Sequence, residues 1–98
     1  MRELIKIDGS TVYLCGVITK EKVFQLRHSL KNLAKEHTTI SLDMENTEYI
    51  DSASWGILIL LNKELIEKGG IARITNASPL VHEAIKLSCL KDFFEYSS

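Results

Sequence analysis

A chain of 98 residues with 45% hydrophobic and 26% charged content has room for one modest hydrophobic core and none for a second. Its 12 basic and 13 acidic residues leave a net charge of −1, which excludes the cationic excess that a nucleic-acid binder needs against phosphates. Met1-Arg2-Glu3-Leu4 carries no apolar targeting region and the longest apolar run, Ile57 to Leu61, is short beside the roughly 20 residues that cross a bilayer; a single cytoplasmic domain over 1–98, with no membrane insertion, is expected.

The first two predicted elements are strands over 3–8 and 11–16, both alternating and rich in β-formers. Asp8-Gly9-Ser10 between them reads as a hairpin turn. Gly16-Val17-Ile18-Thr19 leads into a helix over 20–35, with Thr19 as its N-cap and Glu21 in the first turn. Val23, Leu26, Leu30, Leu33 and Ala34 form one stripe that must face a sheet. Phe24 falls off it, as a rim contact of the core or as part of a partner surface.

A third strand runs over 38–44, and the polar link Glu45 to Ile50 is the longest connection. The central helix starts at Asp51-Ser52, where both side chains can accept a hydrogen bond from first-turn N–H groups, and Gly69-Gly70 stops it. Ile71 to Thr75 is the fourth strand, Asn76-Ala77 a turn, and Ser78-Pro79 a helix start, with Ser as cap and Pro at the first helical position. The third helix places Val81, Ala84, Ile85 and Ser88 on one face, and Phe93 to Tyr96 closes the chain as a short strand. The order β-β-α-β-α-β-α-β makes an α/β domain. Cys15 and Cys89 are far apart and form no Cys-x-x-Cys pair, so both read as small core residues of a reducing compartment rather than a disulfide or metal pair.

Catalytic signals are tested at three places. Ser52-Ala53-Ser54-Trp55-Gly56 resembles a nucleophile elbow with Ser in place of the first Gly, and His82 and Asp92 follow later in the chain. No second region is built for an oxyanion hole or a substrate pocket. His82-Glu83 opens like the zinc motif His-Glu-x-x-His, but Lys86 stands where the second His is required. Gly69-Gly70 lacks the further glycine of a phosphate-cradling loop. No catalytic residue, metal site or cofactor is expected, and the chain is not read as an enzyme.

The central helix carries more apolar surface than one sheet contact needs. At about 100° per residue, Ile57, Leu58, Leu61 and Leu65 share the core face with Ser54, while Trp55, Ile59 and Ile66 lie on a flank and Leu60 faces water. The surplus is either covered by the third helix or is a protein-binding patch beside a polar helix start. Gly56, one turn into the helix, suggests that something packs too close for a methyl group.

Strand, Asp43, a polar stretch, Ile50-Asp51-Ser52, a small residue and a Gly-containing apolar helix ending at Gly69-Gly70 together resemble the STAS domain, above all the single-domain anti-sigma factor antagonists of bacteria. Asp43 and Asp51 carry the spacing of that family's Asp-x-Ser-x-Val-x-x-Ile/Met-Asp-Ser signature. Gly16, Asn76-Ala77-Ser78-Pro79 and Leu90-Lys91-Asp92-Phe93-Phe94 also fit, so the resemblance covers nearly the whole chain. It implies a mixed sheet packed on one side by helices. It also implies a partner, an anti-sigma factor that is a serine kinase, whose capture frees a sigma factor. Family members are silenced by phosphorylation at the second serine of Asp-Ser-Ser-Gly-Leu-Gly, which adds a charge of about −1.5 to −2 within the docking surface.

Here the aligned residues are Asp51-Ser52-Ala53-Ser54-Trp55-Gly56. The acceptor position holds Ala53, and Thr19 stands where the family often has an aspartate. The resemblance therefore implies partner contacts at Thr19, Asp51, Ser52, Ala53, Ser54, Trp55 and Ile59, with Ser52, ahead of Ser54, as the available phosphoacceptor. An alternative from a different class is a scaffold or accessory subunit of a lipid transporter or signalling complex, working without a phosphorylation switch.

Overall fold

The computed structural model describes residues 5–87 and 95–97. Ten elements follow in order: β1 (Ile5–Asp8), β2 (Thr11–Leu14), β3 (Gly16–Ile18), α1 (Lys20–Glu36), β4 (Thr39–Asp43), β5 (Thr47–Ile50), α2 (Ser52–Glu67), β6 (Ile71–Thr75), α3 (Pro79–Leu87) and β7 (Glu95–Ser97). The expected hairpin, three helices and strands β4 and β6 are all present. The expected final strand coincides with β7 at Glu95 and Tyr96, and Ser88, Cys89, Asp92, Phe93 and Phe94 lie outside the described residues.

Five strands form one sheet in the order β1-β2-β4-β6-β7. The β1–β2 hairpin is antiparallel, turned at Gly9 with φ +62, and the remaining pairs are parallel; the sheet is mixed. Alternation sorts its two faces. Val12, Leu14, Ile40, Leu42, Ala72 and Ile74 are buried under the helices, whereas Thr11, Tyr13, Ser41, Asp43, Arg73 and Thr75 on the opposite face are partly exposed. From α1, Leu26, Leu30, Leu33 and Ala34 enter the same core, and α1 packs along α2.

Two elements were absent from the expected order. Gly16, at φ +80, turns the chain out of β2, and the next residues form β3 instead of a lead into the helix. β3 pairs in parallel with β5, Val17 opposite Tyr49 and Ile18 opposite Ile50. The link expected over 45–50 is therefore mostly strand. At the start of this second sheet the Gly16 N–H donates to the Asn46 carbonyl at 2.8 Å. The buried Thr47 hydroxyl also donates to the Leu14 carbonyl at 2.6 Å.

The ends of the helices show why they start and stop where they do. α2 ends in two backbone hydrogen bonds, Gly69 N–H to Ile66 and Gly70 N–H to Leu65, with Gly69 left-handed at φ +84, the arrangement glycine allows at a helix C-terminus. For α3, the Ser78 hydroxyl accepts from the Val81 N–H at 3.3 Å and donates to the Thr47 carbonyl at 2.8 Å, capping the helix and anchoring it to β5.

Candidate functional site

The site is the junction where β3 runs into α1 and β5 runs into α2. The two strands are neighbours in parallel register, so the two helix N-termini emerge side by side. One carboxylate serves both. Asp51 is the N-cap of α2, and its Oδ1 accepts from the Ser54 N–H at 2.8 Å and from the Ser54 hydroxyl at 2.6 Å. Its Oδ2 accepts from the Lys20 N–H at 2.8 Å, the first residue of α1 and 31 positions away. Asp51's own N–H donates to the Ile18 carbonyl at 3.1 Å, closing the parallel pair.

Two expectations about caps are corrected here. Thr19 occupies the N-cap position of α1 but makes no side-chain capping bond; Asp51 takes over that role from across the junction. Ser52 is the first residue of α2 rather than its cap. The physical reason is common to both. The Asp51 carboxylate has two oxygens and several lone pairs, and it sits where two sets of unpaired helix N–H groups converge, so it outcompetes single hydroxyls.

The same bonds set the acidity of Asp51. The Ser54 hydroxyl and then the Ser54 N–H hold its carboxyl below the usual carboxylate value, desolvation opposes them, and the Lys20 N–H and the Lys20 charge add to the lowering. Bonds that exist only to the ionised form favour it.

Of the residues expected to meet a partner, the structure brings Thr19, Asp51, Ser52 and Ala53 together at the surface: Ser52 and Ala53 are exposed, Thr19 and Asp51 partly so. The others point away. Ser54 is fully buried and bonded to Asp51, out of reach of a substrate or a kinase, which also removes the nucleophile-elbow geometry. Trp55 is not on an exposed flank: it is 8% exposed and belongs to the core, and Ile59 is partly buried against it. The buried stripe of α2 comprises Ser54, Trp55, Leu58, Leu61, Asn62 and Leu65, turned toward Trp55 and away from Ile57. Asn62 explains the turn. Its Oδ1 accepts from the Ala72 N–H of β6 at 2.7 Å, so a residue that reads as polar and outward is an inward one.

Gly56 also differs from expectation. A β-carbon there would meet nothing within 4 Å, so no close packing inside the chain requires glycine. Conversely, the surface gains two residues with no earlier hint. Val17 and Tyr49, paired across the small sheet, are 47% and 49% exposed. Their only signal in the sequence is that of apolar β-formers beside polar neighbours, which is indistinguishable from a core strand until the pairing is known.

The arrangement is an exposed, uncharged helix start, Ser52-Ala53, backed by a carboxylate committed to structure, with an exposed apolar pair on the strands that lead into it. Among the described residues no helix is long and apolar enough to cross a membrane. The fold matches known structures closely. The Bacillus cell fate determinant SpoIIAA in its phosphorylated form aligns with a TM-score of 0.71 at 22% identity over 96% of this chain and 89% of that one. An anti-sigma factor antagonist from Mycobacterium paratuberculosis gives 0.77 at 19% over 95% and 81%, and the protein TM1081 from Thermotoga maritima gives 0.78 at 21% over 96% and 85%. These likenesses concern the fold. No curated protein matches the chain in sequence. The STAS domain model does match, over residues 3–98, and with the mixed sheet and its one-sided helical layer it establishes that this chain belongs to the STAS domain family.

Proposed function

We propose that this protein is an anti-sigma factor antagonist, which captures an anti-sigma factor that is also a serine kinase and so releases a sigma factor. The supporting observation is the junction itself: Asp51 pins the starts of α1 and α2 together, Ser52 and Ala53 are exposed at the start of α2, and Val17 and Tyr49 are exposed on the two strands that lead into the helices. A surface held in place before binding loses little conformational freedom on docking. The docking residues are Thr19, Asp51, Ser52 and Ala53 with Val17 and Tyr49. Trp55 and Ser54 act beneath that surface as its support.

Phosphorylation at the family's usual position is closed to this chain, because that position is Ala53. Ser54 is fully buried. Ser52, exposed at the first position of α2, is the hydroxyl a kinase reaches, and the helix dipole favours a phosphate there by about 0.3–1 kcal/mol. The Ala53 substitution favours the second reading as well, in which the domain is an unswitched accessory of a lipid transporter or signalling complex.

The test is titration of the chain with any serine kinase whose gene adjoins its own, by calorimetry, with sigma factor release followed by size exclusion. Binding that frees sigma, lost in Ser52→Asp, is expected. Binding to a transporter ATPase or membrane subunit, with no interaction with any serine kinase, would transfer the domain to the second reading. Intact mass and phosphosite mapping after incubation with kinase and ATP are expected to give no phosphate or one on Ser52. A stoichiometric phosphate on Ser54 would contradict the register described here.

A further inference from the structure

Away from the junction, the α1–α2 contact leaves an open pocket of about 140 Å³. Leu30 and Leu61, 2% and 5% exposed, form its floor, and Ile57 and Leu60 form one lip. Leu60 is 58% exposed, although it lies on the element otherwise responsible for the core. Arg27 and Lys31 stand on the α1 rim and Glu64 on the α2 rim, all three exposed. Arg27 and Lys31 are four residues apart and so share one face of α1. Two cations against one carboxylate leave the rim positive.

We infer that this pocket docks one large apolar side chain of an acidic segment of the protein partner. Size sets the first half of that statement: a cavity of about 150 Å³ accommodates a benzene ring, so the space suits a single phenylalanine or leucine. It is too small for a folded surface or a long acyl chain. Charge sets the second half: carboxylates one helical turn either side of such an anchor would meet Arg27 and Lys31, whereas a basic segment would be repelled there. Ile57 and Leu60 lie one and two turns beyond Ala53 on α2, with Gly56 open just before Ile57. A partner seated on the junction therefore reaches the pocket by continuing along the same helix. The inference rests on the reading of the chain as a protein-binding module and adds the chemistry of what is bound.

The probe is a stapled helical peptide carrying one phenylalanine with glutamates one turn before and one turn after it. Binding is followed by methyl NMR of Leu30, Ile57, Leu60 and Leu61. These methyls are expected to shift. Affinity should fall tenfold or more when the peptide's phenylalanine is replaced by alanine or its glutamates by lysines, and in the chain variant Arg27→Glu/Lys31→Glu. These positions are exposed, so a matching melting curve confirms that the variant folds. Equal binding of the lysine peptide overturns the inference, as does a peptide that shifts only the Ser52 and Ala53 amides. Groove shifts that appear on concentrating the chain alone would assign the pocket to a second copy and overturn it too. The two proposals separate with the serine kinase. Kinase binding that survives Arg27→Glu/Lys31→Glu but not Ser52→Asp removes the pocket and keeps the antagonist reading. A peptide response with each of these dependences, from a chain that binds no serine kinase, keeps the pocket and removes that reading.

Discussion

The two ends of α2 solve the same problem, unpaired backbone groups, in opposite ways. At the C-terminal end the solution is made by backbone alone: the Gly69 and Gly70 N–H groups close onto Ile66 and Leu65, and the chain then presses so near Thr38 that a β-carbon on Gly70 would run into its carbonyl. At the N-terminal end a side chain, Asp51, does the capping and reaches across to α1 as well. Backbone capping uses no side chain, and the two glycines that make it present none to a partner. Side-chain capping from beneath leaves the outer first turn, Ser52 and Ala53, both rigid and exposed. Within one helix, then, one end is committed to the fold and the other is available for recognition.

That contrast has a boundary inside the first turn, where Ser52 and Ala53 face out while Ser54 and Trp55 face in. Trp55→Asp probes it hardest. Loss of a buried tryptophan costs about 3–5 kcal/mol, and an unpaired carboxylate in its place adds to that, so loss of the cooperative thermal transition by circular dichroism is expected. A variant with normal melting would move Trp55 to the recognition surface. Gly70→Ala tests the other end: displacing the backbone at Thr38 is expected to lower stability by about 1–3 kcal/mol in urea titrations. An unchanged midpoint would show that the C-terminal end is looser than its geometry requires.

Asp51→Ala should unseat both helix starts at once, with a fall in melting temperature of about 5 °C or more and a larger fall than Ser54→Ala, which removes only one of its donors. Equal falls would mean that the two backbone bonds to Asp51, from Lys20 and from Ser54, contribute nothing. The pH dependence carries the same information. Because the folded-state pKa of Asp51 is lowered from 3.8, the stability it contributes is complete above that value and is lost as pH falls through the lower, folded pKa. Asp51→Asn should therefore make acid unfolding shallower in that window and leave its slope unchanged near neutrality. The smallest effect has the opposite sign. Gly56→Ala places a methyl in open space and should stabilise the isolated chain by about 0.5–1 kcal/mol. If it weakens partner binding at the same time, the space above Gly56 belongs to the partner.

Local chemistry made much of this molecule legible in advance. Asp8-Gly9 turns the first hairpin, Ser78-Pro79 starts α3, Gly69-Gly70 ends α2, and the stripe Leu26, Leu30, Leu33 and Ala34 enters the core. Each of these depends on residues within one or two turns of each other, so spacing alone determines it. The pairing of β3 with β5 was not legible, because strands of three and four residues are too short to show a period and acquire partners only when the chain brings them together. The same holds for the site. Asp51 was marked as a cap of its own helix, but its bond to Lys20 spans 31 residues and follows from the parallel register of β3 and β5. Trp55 was placed on a flank by a helical wheel centred on Ile57, Leu58, Leu61 and Leu65, whereas the Ala72 N–H of β6 bonds Asn62 and turns that flank of the helix toward the core. Sequence determined where the helices begin and end, since Asp51, Gly69-Gly70 and Ser78 each cap a helix next to them in the chain; only the bond from Asp51 to the start of α1 comes from afar. Which faces of α2 remain for a partner was decided by the tertiary structure, because burial depends on neighbours from distant strands.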